Sequence, residues 1–463
     1  MAESRLSLDQ LITTRDGTLS KDSYMQNMMK EEKPGRKTIV KRPGLSLVRG
    51  FSSGSGHGMF QLKGSNYAVI DSNIWNIATG ESIVIPGAPS PVLAFDVISD
   101  QIFNTSIIAV LKTTAAAYTF DGVTVTQITD TNYPAATTRG LALLDGTFYV
   151  LDTSGNIYGS AIQDPTTWSA LNFLGIDQSL GTATCLFRHL NYVLAFATDG
   201  MQAFYDSGNP PPGSPLSPVG NATYRIGCAS AASVVSTADM TIFMSKSALT
   251  RGRSISALDG LSLVTLSTPF IEKILNRSDL SQVYAFSLST SGHNFYILTL
   301  ADIAVTLAFD MLSKDWYVWT STTATGVQGY FPFGGYLNST SQDLLLHLTS
   351  GAVMALDPAV FQDNGQPINC TVVTEPYDGG TVAHKFFSGL NLIGDTVPTT
   401  VAVSYSDDDY QTWNTPRTVD MGSVRKQLRG LGRSRKRAFR FTHTDNTELR
   451  LDAVEFDLNL GSS

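Results

Sequence analysis

Histidines, cysteines and carboxylates are the residues of this chain whose types could support catalysis or metal binding. The histidines occur singly and without the spacing of a metal site, at His57, His189, His293, His347, His384 and His443. Three cysteines (Cys185, Cys228 and Cys370) lie far apart, which is typical of buried thiols in a protein made in a reducing cytoplasm. Many carboxylates occur in turn signals such as Asp145-Gly146, where the side chain bonds the local backbone. Because the sequence also has no nucleotide-binding glycine loop, nucleophile elbow, zinc-protease motif or paired CxxC motif, it predicts no catalytic residue, no metal site and no cofactor.

A dense basic run occupies residues 425–440, near the end of the sequence. It holds 8 basic residues and no acidic residue. They are Arg425, Lys426, Arg429, Arg433, Arg435, Lys436, Arg437 and Arg440. This density of positive charge could neutralise several DNA phosphates, or it could bind an acidic surface of another protein. We predict a basic loop between two strands that binds protein, and direct DNA contact is the alternative.

A second motif is the run SDDDYQTW at residues 406–413. It resembles the S-x-D-x-G-x-T-W hairpin, or Asp box, of sialidases and other carbohydrate-active propellers, with Tyr410 in place of the glycine. The matching positions are Ser406, Asp408, Thr412 and Trp413. The resemblance implies a folding element, in which the aspartate binds the amides of the turn and the tryptophan packs beneath it. A carbohydrate-binding or sialidase-like propeller is therefore the alternative function, although a sialidase also needs a set of arginines that residues 51–357 do not show.

Composition indicates the fold class. Only 16% of the 463 residues are charged, and Thr, Ser, Gly, Val and Leu are abundant, which is typical of β-sheets joined by turns. A chain of this length exceeds one compact core, so we expect two or three domains. The sequence contains no run of about 18 apolar residues, the length needed to span a membrane. Its first residues also lack the basic segment followed by an apolar segment that is typical of a secretion signal. The sequence therefore predicts a soluble, all-β protein.

Charge is distributed unevenly along the chain. Residues 1–50 carry 10 basic and 6 acidic side chains, a net charge of +4. Residues 51–424 carry 13 basic and 29 acidic side chains, a net charge of −16. An acidic body with a basic segment near each end is an electrostatic arrangement rather than a uniform solubility charge.

Short alternating runs recur from residue 55 onward, at offsets of about 35 to 50 residues. Leu141–Ser160 and Cys185–Gly208 show the same order of strand, turn, strand, turn and strand, which is typical of a propeller blade. We predict a β-propeller of six to seven blades at residues 51–357, preceded by an irregular N-terminal assembly arm at residues 1–50. A small C-terminal antiparallel β-sandwich is predicted at residues 358–463. Two short helices are predicted, at Asp22–Lys33 and Pro269–Leu275.

Several short motifs occur in a fixed order along the chain. They are Asn27, Pro34-Gly35, Lys41–Leu45 (KRPGL), Ile271–Leu275 (IEKIL), Ser404–Trp413, Gly430–Arg433 and Phe439–Phe441. Their order resembles the tail hub, or packaged-DNA stabilisation, proteins of short-tailed (podovirus-type) bacteriophages. Tyr410 departs from that family, which has glycine at this turn.

The resemblance implies a structural virion protein and not an enzyme: a tail hub, or nozzle, subunit that retains packaged DNA and conducts it during ejection. Implied partners are copies of the same chain in a hexamer, the portal and adaptor rings, and tail fibre, tailspike or needle proteins. Double-stranded DNA is expected to pass through the lumen without sequence-specific contacts. The implied location is the virion tail, assembled in the host bacterial cytoplasm. The acidic body fits this function, because a negatively charged channel repels the DNA backbone.

Overall fold

The computed structural model describes most of the chain, with short gaps. The described residues are 2–33, 36–51, 54–87, 95–210, 212–237, 240–247, 252–323, 326–329, 333–338 and 343–461. Strands dominate these segments, because β-branched and aromatic residues alternate with small polar residues between Gly, Asp and Asn turns. No helix among these residues is long and apolar enough to cross a membrane.

The N-terminal segment is made of strands. They are β1 (Ala2–Ser7), β2 (Tyr24–Gln26), β3 (Met28–Lys33), β4 (Arg36–Lys41) and β5 (Gly44–Arg49). The prediction that residues 1–50 are irregular is therefore wrong, and so is the helix predicted at Asp22–Lys33. The physical reason is that each of these strands except β3 pairs with a strand far along the chain, which leaves little local signal. A role of this segment in assembly stays a prediction.

Residues 56–224 form four antiparallel sheets, each built from four consecutive strands. Blade 1 contains β6 (Gly56–Leu62), β7 (Ser65–Ile70), β8 (Asn73–Asn76) and β9 (Ser82–Val84). Blade 2 contains β10 (Asp96–Phe103), β11 (Ser106–Lys112), β12 (Ala117–Phe120) and β13 (Val125–Gln127). Blade 3 contains β14 (Ala142–Leu144), β15 (Thr147–Leu151), β16 (Asn156–Ala161) and β17 (Asp164–Gly175). After a 3₁₀ turn at Gln178–Leu180, blade 4 contains β18 (Ala183–His189), β19 (Tyr192–Ala197), β20 (Met201–Asp206) and β21 (Leu216–Tyr224).

The remaining blades carry additions. Blade 5 contains β22 (Ile226–Cys228), a 3₁₀ turn (Ala231–Ser233), β23 (Val235–Thr237), β24 (Met240–Ser247), β25 (Arg253–Asp259) and β26 (Ser262–Thr265). Helix α1 (Pro269–Leu275) follows, as predicted, and Thr268 caps its N-terminus. Blade 6 contains β27 (Val283–Thr290), β28 (His293–Leu300), a 3₁₀ turn (Ala301–Ile303), β29 (Val305–Asp310), β30 (Trp316–Thr323) and β31 (Gly326–Gly329). Blade 7 contains β32 (Phe333–Asn338), β33 (Asp343–His347) and β34 (Val353–Asp357).

The N-terminal strand β5 completes blade 7. It pairs antiparallel with β34, with Leu45 opposite Leu356, and so occupies the position of the fourth strand. The inner strand β32 of blade 7 lies beside β6 of blade 1, so the ring is closed. Within the described residues the propeller thus has seven blades, in agreement with the six to seven predicted.

The C-terminal residues form a sandwich together with the N-terminal strands. Its strands are β35 (Gln362–Asp363), β36 (Gln366–Pro367), β37 (Cys370–Val373), β38 (Lys385–Gly394), β39 (Thr400–Ser406), β40 (Arg417–Asp420), β41 (Gln427–Ser434), β42 (Ala438–His443) and β43 (Arg450–Leu460). One sheet joins β1, β3, β4, β43, β38 and β41. The other runs β2-β37-β42-β39-β40, whereas β35 and β36 extend the sheet of blade 7. Phe387, Phe439 and Phe456 fill the space between the two main sheets, with ring centroids 4.8 to 5.9 Å apart.

The sandwich is a direct continuation of blade 6. Strand β2 pairs with β30 on one side, with Gln26 opposite Val318, and with β37 on the other. One sheet therefore extends from β27, at the inner edge of blade 6, to β40 at the far side of the sandwich. The predicted combination of a β-propeller with a small antiparallel sandwich is confirmed, and sheet pairing crosses the predicted boundaries at residues 50 and 357.

Candidate assembly site

A buried ion pair lies where the N-terminal segment meets the propeller and the sandwich. Arg42 and Asp363 have fully buried side chains, and the guanidinium donates to both carboxylate oxygens at 2.9 and 2.5 Å. The same guanidinium donates to the Asn27 side-chain oxygen (3.0 Å) and to the Thr320 carbonyl of β30 (2.8 Å). The Asn27 amide in turn donates to the Thr320 hydroxyl and to the Asn369 carbonyl. Such a network stabilises a single arrangement, because every buried polar group has a partner.

The residues after Arg42 fix the path of β5. A Cβ atom on Gly44 would lie 2.3 Å from the Gln362 carbonyl oxygen, so a larger residue cannot occupy this position. The Gly44 amide donates to the Val360 carbonyl at 2.7 Å, and Leu45 is fully buried. We call Asn27, Arg42, Gly44 and Asp363 the latch, because together they hold the strand that closes the ring. Of the sequence motifs, Asn27 and two residues of Lys41–Leu45 belong to this latch, whereas Pro34 and Gly35 lie outside the described residues.

Helix α1 holds the segment that precedes the latch. Ile271, Ile274 and Leu275 are buried beneath it. On its exposed side, Lys273 Nζ donates to the Arg15 carbonyl at 3.3 Å. The IEKIL run therefore anchors the N-terminal segment on the propeller.

In the Asp-box-like hairpin, Asp408 makes its hydrogen bonds within the hairpin itself. Asp408 Oδ1 accepts from the Ser406 hydroxyl (2.8 Å) and from the Thr412 amide (2.9 Å). The hydrogen bonds from the Thr412 hydroxyl and amide lower the pKa of Asp408 to about 2. Trp413 packs beside Tyr410 and under the Arg440 guanidinium, which lies 4.4 Å from the indole centroid. These contacts stabilise the turn of the hairpin, and its role as a folding element stays a prediction.

Tyr410, which replaces the glycine of the Asp box, ties the hairpin to its surroundings. It adopts a φ of +68°, which glycine would favour, but its ring is buried and its hydroxyl donates to the Thr374 carbonyl at 3.0 Å. The neighbouring Asp409 accepts a hydrogen bond of 2.7 Å from Arg15. The N-terminal segment thus bridges helix α1 and the hairpin, and Arg15 is a contact that the sequence analysis missed.

The predicted basic loop is a strand, β41, followed by a short turn into β42. Gly430 and Gly432 have φ of +68° and +77°, which interrupts the strand alternation and explains why the sequence read as a loop. Five of the eight basic side chains are exposed, namely Arg425, Arg429, Arg433, Arg435 and Lys436. Lys426 and Arg440 are half-buried, and Lys426 Nζ donates to the Thr396 hydroxyl at 2.9 Å.

Arg437 contradicts its prediction as a docking residue. Only 1% of this residue is exposed, and its guanidinium makes two hydrogen bonds of 2.7 Å to the Asp407 carboxylate. It also lies between the rings of Tyr405 and Phe387, at 3.9 and 4.7 Å from their centroids. Arg437 therefore stabilises the sandwich core.

Among the described residues, no group of three or more His, Cys, Asp or Glu side chains could hold a metal ion. Two of the histidines have clear structural partners. His293 Nδ1 lies 2.8 Å from the Asp310 carboxylate, and His189 Nε2 lies 2.7 Å from the Gly260 carbonyl. All three cysteines are buried, and none of them forms a disulfide.

Residues 19–337 match the model of a protein family described as bacteriophage P22 Gp10, β-propeller. The chain belongs to this family. The resemblance inferred from the short motifs is thereby confirmed, and the chain is a structural protein of a bacteriophage from a family associated with stabilising packaged DNA. The matched range begins in the N-terminal segment and ends in β32, so it includes Asn27, Arg42 and helix α1.

Three solved structures are similar to the chain at low identity. The computationally designed Ika8 protein is 14% identical, with a TM-score of 0.41 over 68% of this chain and 99% of that one. The N-terminal domain of Nup159 is 10% identical, with a TM-score of 0.39 over 72% and 98%. BamB from Moraxella catarrhalis is 13% identical, with a TM-score of 0.39 over 77% and 96%. No curated protein sequence matches the chain.

Proposed function

We propose that this protein is the tail hub, or nozzle, subunit of a short-tailed phage. In this function it forms a ring, as a hexamer, below the portal and adaptor, retains the packaged DNA and conducts it during ejection. The observation that carries the proposal is the family match over residues 19–337. Assembly in the host cytoplasm and contacts to tail fibre, tailspike or needle proteins belong to the same proposal.

The architecture supports a component that resists internal pressure. The strand that closes the ring, β5, is held at its start by the latch and lies between β34 and β35. The sheet of blade 6 continues into the sandwich through β2, so force on one part reaches the other through backbone hydrogen bonds. The buried Arg42–Asp363 pair joins the start of β5 to β35, so it opposes the movement of β5 out of the closing blade.

The charge of the body supports passage of DNA. Residues 51–424 carry 13 basic and 29 acidic side chains, so six copies would bring six times −16, or −96. Such a field repels phosphates and opposes binding of the DNA in transit.

The carboxylates support a structural protein better than an enzyme. Asp121 accepts hydrogen bonds from the Val123 and Thr124 amides at 2.8 and 2.7 Å, and the bond from Thr124 lowers its pKa. Asp408 is held in the same way within its hairpin. A carbohydrate-binding propeller stays the alternative, and its main support, the Asp box, is explained by these turn contacts.

The direct test adds purified protein to capsids that are filled with DNA but lack a tail. We expect the capsids to retain their DNA, to gain infectivity once the remaining tail proteins are added, and to show new density below the portal and adaptor. Capsids that bind no protein, or that carry it only on fibres, would contradict the proposal. Binding of the free protein to glycans, abolished by Asp408→Asn, would favour the alternative.

A further inference from the structure

One edge of the sandwich is basic and partly apolar. Strand β41 ends its sheet, and the exposed side chains Arg425, Arg429, Arg433, Arg435 and Lys436 lie on it or next to it. We call these five residues the basic edge. Phe386, which is opposite Arg433 in the register of β38 and β41, is 43% exposed, and Val424 is 98% exposed. Charge mixed with exposed apolar side chains is typical of a protein-binding surface.

One side of blades 2 to 4 has the opposite charge. It is the side where the first and second strands connect, at Asn104-Thr105, Asp145-Gly146 and Leu190-Asn191. The outer turn of blade 3 reaches the same side, because the Gln163 amide donates to the Gly146 carbonyl at 2.7 Å. Carboxylates on this side are Asp100, Asp121, Asp145, Asp164 and Asp206, and basic side chains are Lys63 and Arg188. We call this side of blades 2 to 4 the acidic face.

Exposed apolar side chains accompany the carboxylates of the acidic face. They are Ile102, Ile107, Val123, Ile162, Leu190 and Tyr205. An open depression of about 400 Å³ lies between blades 3 and 4 and is lined by Asp145, Asp206, Tyr192 and Tyr205, among others. Two carboxylates beside two tyrosine rings form a site for a guanidinium, which pairs with carboxylates and stacks on aromatic rings.

The acidic face lies on blades 2 to 4, whereas the basic edge lies on the sandwich. The sandwich continues blade 6, and in the ring of seven blades formed by the described residues, blades 2 and 3 lie across from blade 6. The basic edge of a chain therefore cannot reach its own acidic face, whereas it can reach that of a second copy. Contacts between two different patches are head-to-tail, and they form a ring when the rotation between copies closes.

We propose that the basic edge of one copy binds the acidic face of blades 2 to 4 of a second copy, with an arginine of β41 in the depression between Asp145 and Asp206. Opposite charge speeds this association and fixes its register. The inference deepens the proposed function, on which it rests for the role of the ring. Binding of double-stranded DNA to the basic edge is the alternative, and the test below distinguishes it from binding of a second copy.

The pairing is tested with one variant that changes the charge of the basic edge and one that changes the charge of the acidic face. The edge variant carries Arg429→Glu and Arg433→Glu; it keeps a charged edge, so protection of β41 from unspecific strand pairing is preserved. The face variant carries Asp145→Lys and Asp206→Asn. Lysine is tolerated at the first of these turns because Lys63-Gly64 in blade 1 has the same positive φ values (+51° and +77°) as Asp145-Gly146 (+47° and +84°). The control carries Arg225→Glu and Lys314→Glu, two exposed residues outside both surfaces.

Mass is measured by light scattering against protein concentration, and copies bound to tail-less, DNA-filled capsids are counted. We expect each variant alone to associate about 10- to 100-fold more weakly than the unmodified chain, and the control to associate normally. An equal mixture of the edge and face variants should restore assembly, because the glutamates introduced at the edge then meet the lysine introduced in the face, and the unmodified edge meets the unmodified face.

Normal assembly of either variant alone, or failure of the mixture, would overturn the pairing. So would a chain that stays monomeric both in solution and on capsids. Loss of binding to a double-stranded DNA fragment by the edge variant, with self-association unchanged, would assign the edge to DNA instead. A chain that self-associates as expected but never binds capsids would leave this inference standing and refute the proposed function.

Discussion

At the scale of single residues, the buried pair Arg42–Asp363 is the centre of the latch. Replacing Asp363 by Asn leaves the Arg42 charge buried without its counter-ion, and we expect a loss of about 3–5 kcal/mol in the free energy of unfolding. Removing both charges, with Arg42→Met and Asp363→Leu, should cost less than the sum of the single changes. Denaturant titration of Asp363→Asn, of the two single changes and of the double variant measures this. A loss below about 1 kcal/mol for Asp363→Asn would show that the pair does not hold the ring closed.

Tyr410 gives a second prediction at the same scale. Tyr410→Phe removes the hydrogen bond to the Thr374 carbonyl and should cost about 0.5–1.5 kcal/mol. Tyr410→Gly, which restores the Asp-box residue, relieves the positive φ but loses the buried ring, and we expect it to cost more than Tyr410→Phe. A glycine variant that is more stable than the original chain would contradict this account of the departure from the motif. Thermal melting of the two variants side by side is sufficient.

His443 should make stability depend on pH. Burial, with a further contribution from nearby Lys41, lowers its pKa to about 4, whereas the unfolded chain has an ordinary value of about 6.5. The unfolded state therefore binds a proton first as the pH falls, and folding loses up to about 3 kcal/mol between pH 6.5 and 4. In the variant His443→Gln, the free energy of unfolding should therefore fall less between pH 6.5 and 4 than in the unmodified chain. Parallel slopes of unfolding free energy against pH for the two proteins would refute the assignment.

At the scale of elements, the N-terminal strands should stabilise the whole chain. A deletion of residues 1–40 would leave the melting temperature nearly unchanged if this segment were an irregular arm. It instead removes β1 to β4, the link between β30 and β37, and the buried side chains Met25, Met28 and Met29. We expect a large fall in melting temperature or insoluble protein, measured against a deletion of residues 1–7, which removes only β1. Equal melting temperatures of the short and long deletions would restore the interpretation as a free arm.

The blades could be predicted because they repeat along the chain. The N-terminal strands and the latch could not be predicted, because their partners lie far away in the sequence. Short alternating runs with Asp-Gly turns, such as Leu141–Ser160, report the local antiparallel pairing of a blade. Strand β2 has only three residues, and its partners lie at Val318 and Thr371–Val373, so no local pattern marks it. The same reason applies to the latch, because Arg42 could be recognised as part of a motif but not as the partner of Asp363, which lies 321 residues further along the chain.

For the basic run at residues 425–440, the sequence indicated the charge of the segment but not the role of each side chain. Arg437 is buried against Asp407 and Arg440 covers Trp413, whereas Arg429 and Arg433 point to solvent. The partners of Arg437 and Arg440 are 30 and 27 residues away in the sequence, and the pairing of β39 with β42 brings them together.

At the scale of the whole molecule, the sheet shared by blade 6 and the sandwich predicts one cooperative unfolding unit. Separate domains would melt in separate transitions, but here the boundary is crossed by backbone pairing at β2 and by the network around Asn27. We expect a single calorimetric transition for the full chain. The variant Asn27→Ala removes the bonds to Thr320 and Asn369 and should split the transition in two or lower it strongly. The matched control is Asn76→Ala, which removes a comparable side chain that accepts from two turn amides of blade 1. Two transitions in the unmodified chain would mean that the propeller and the sandwich are only loosely joined, and that tension along the tail is carried by contacts between subunits.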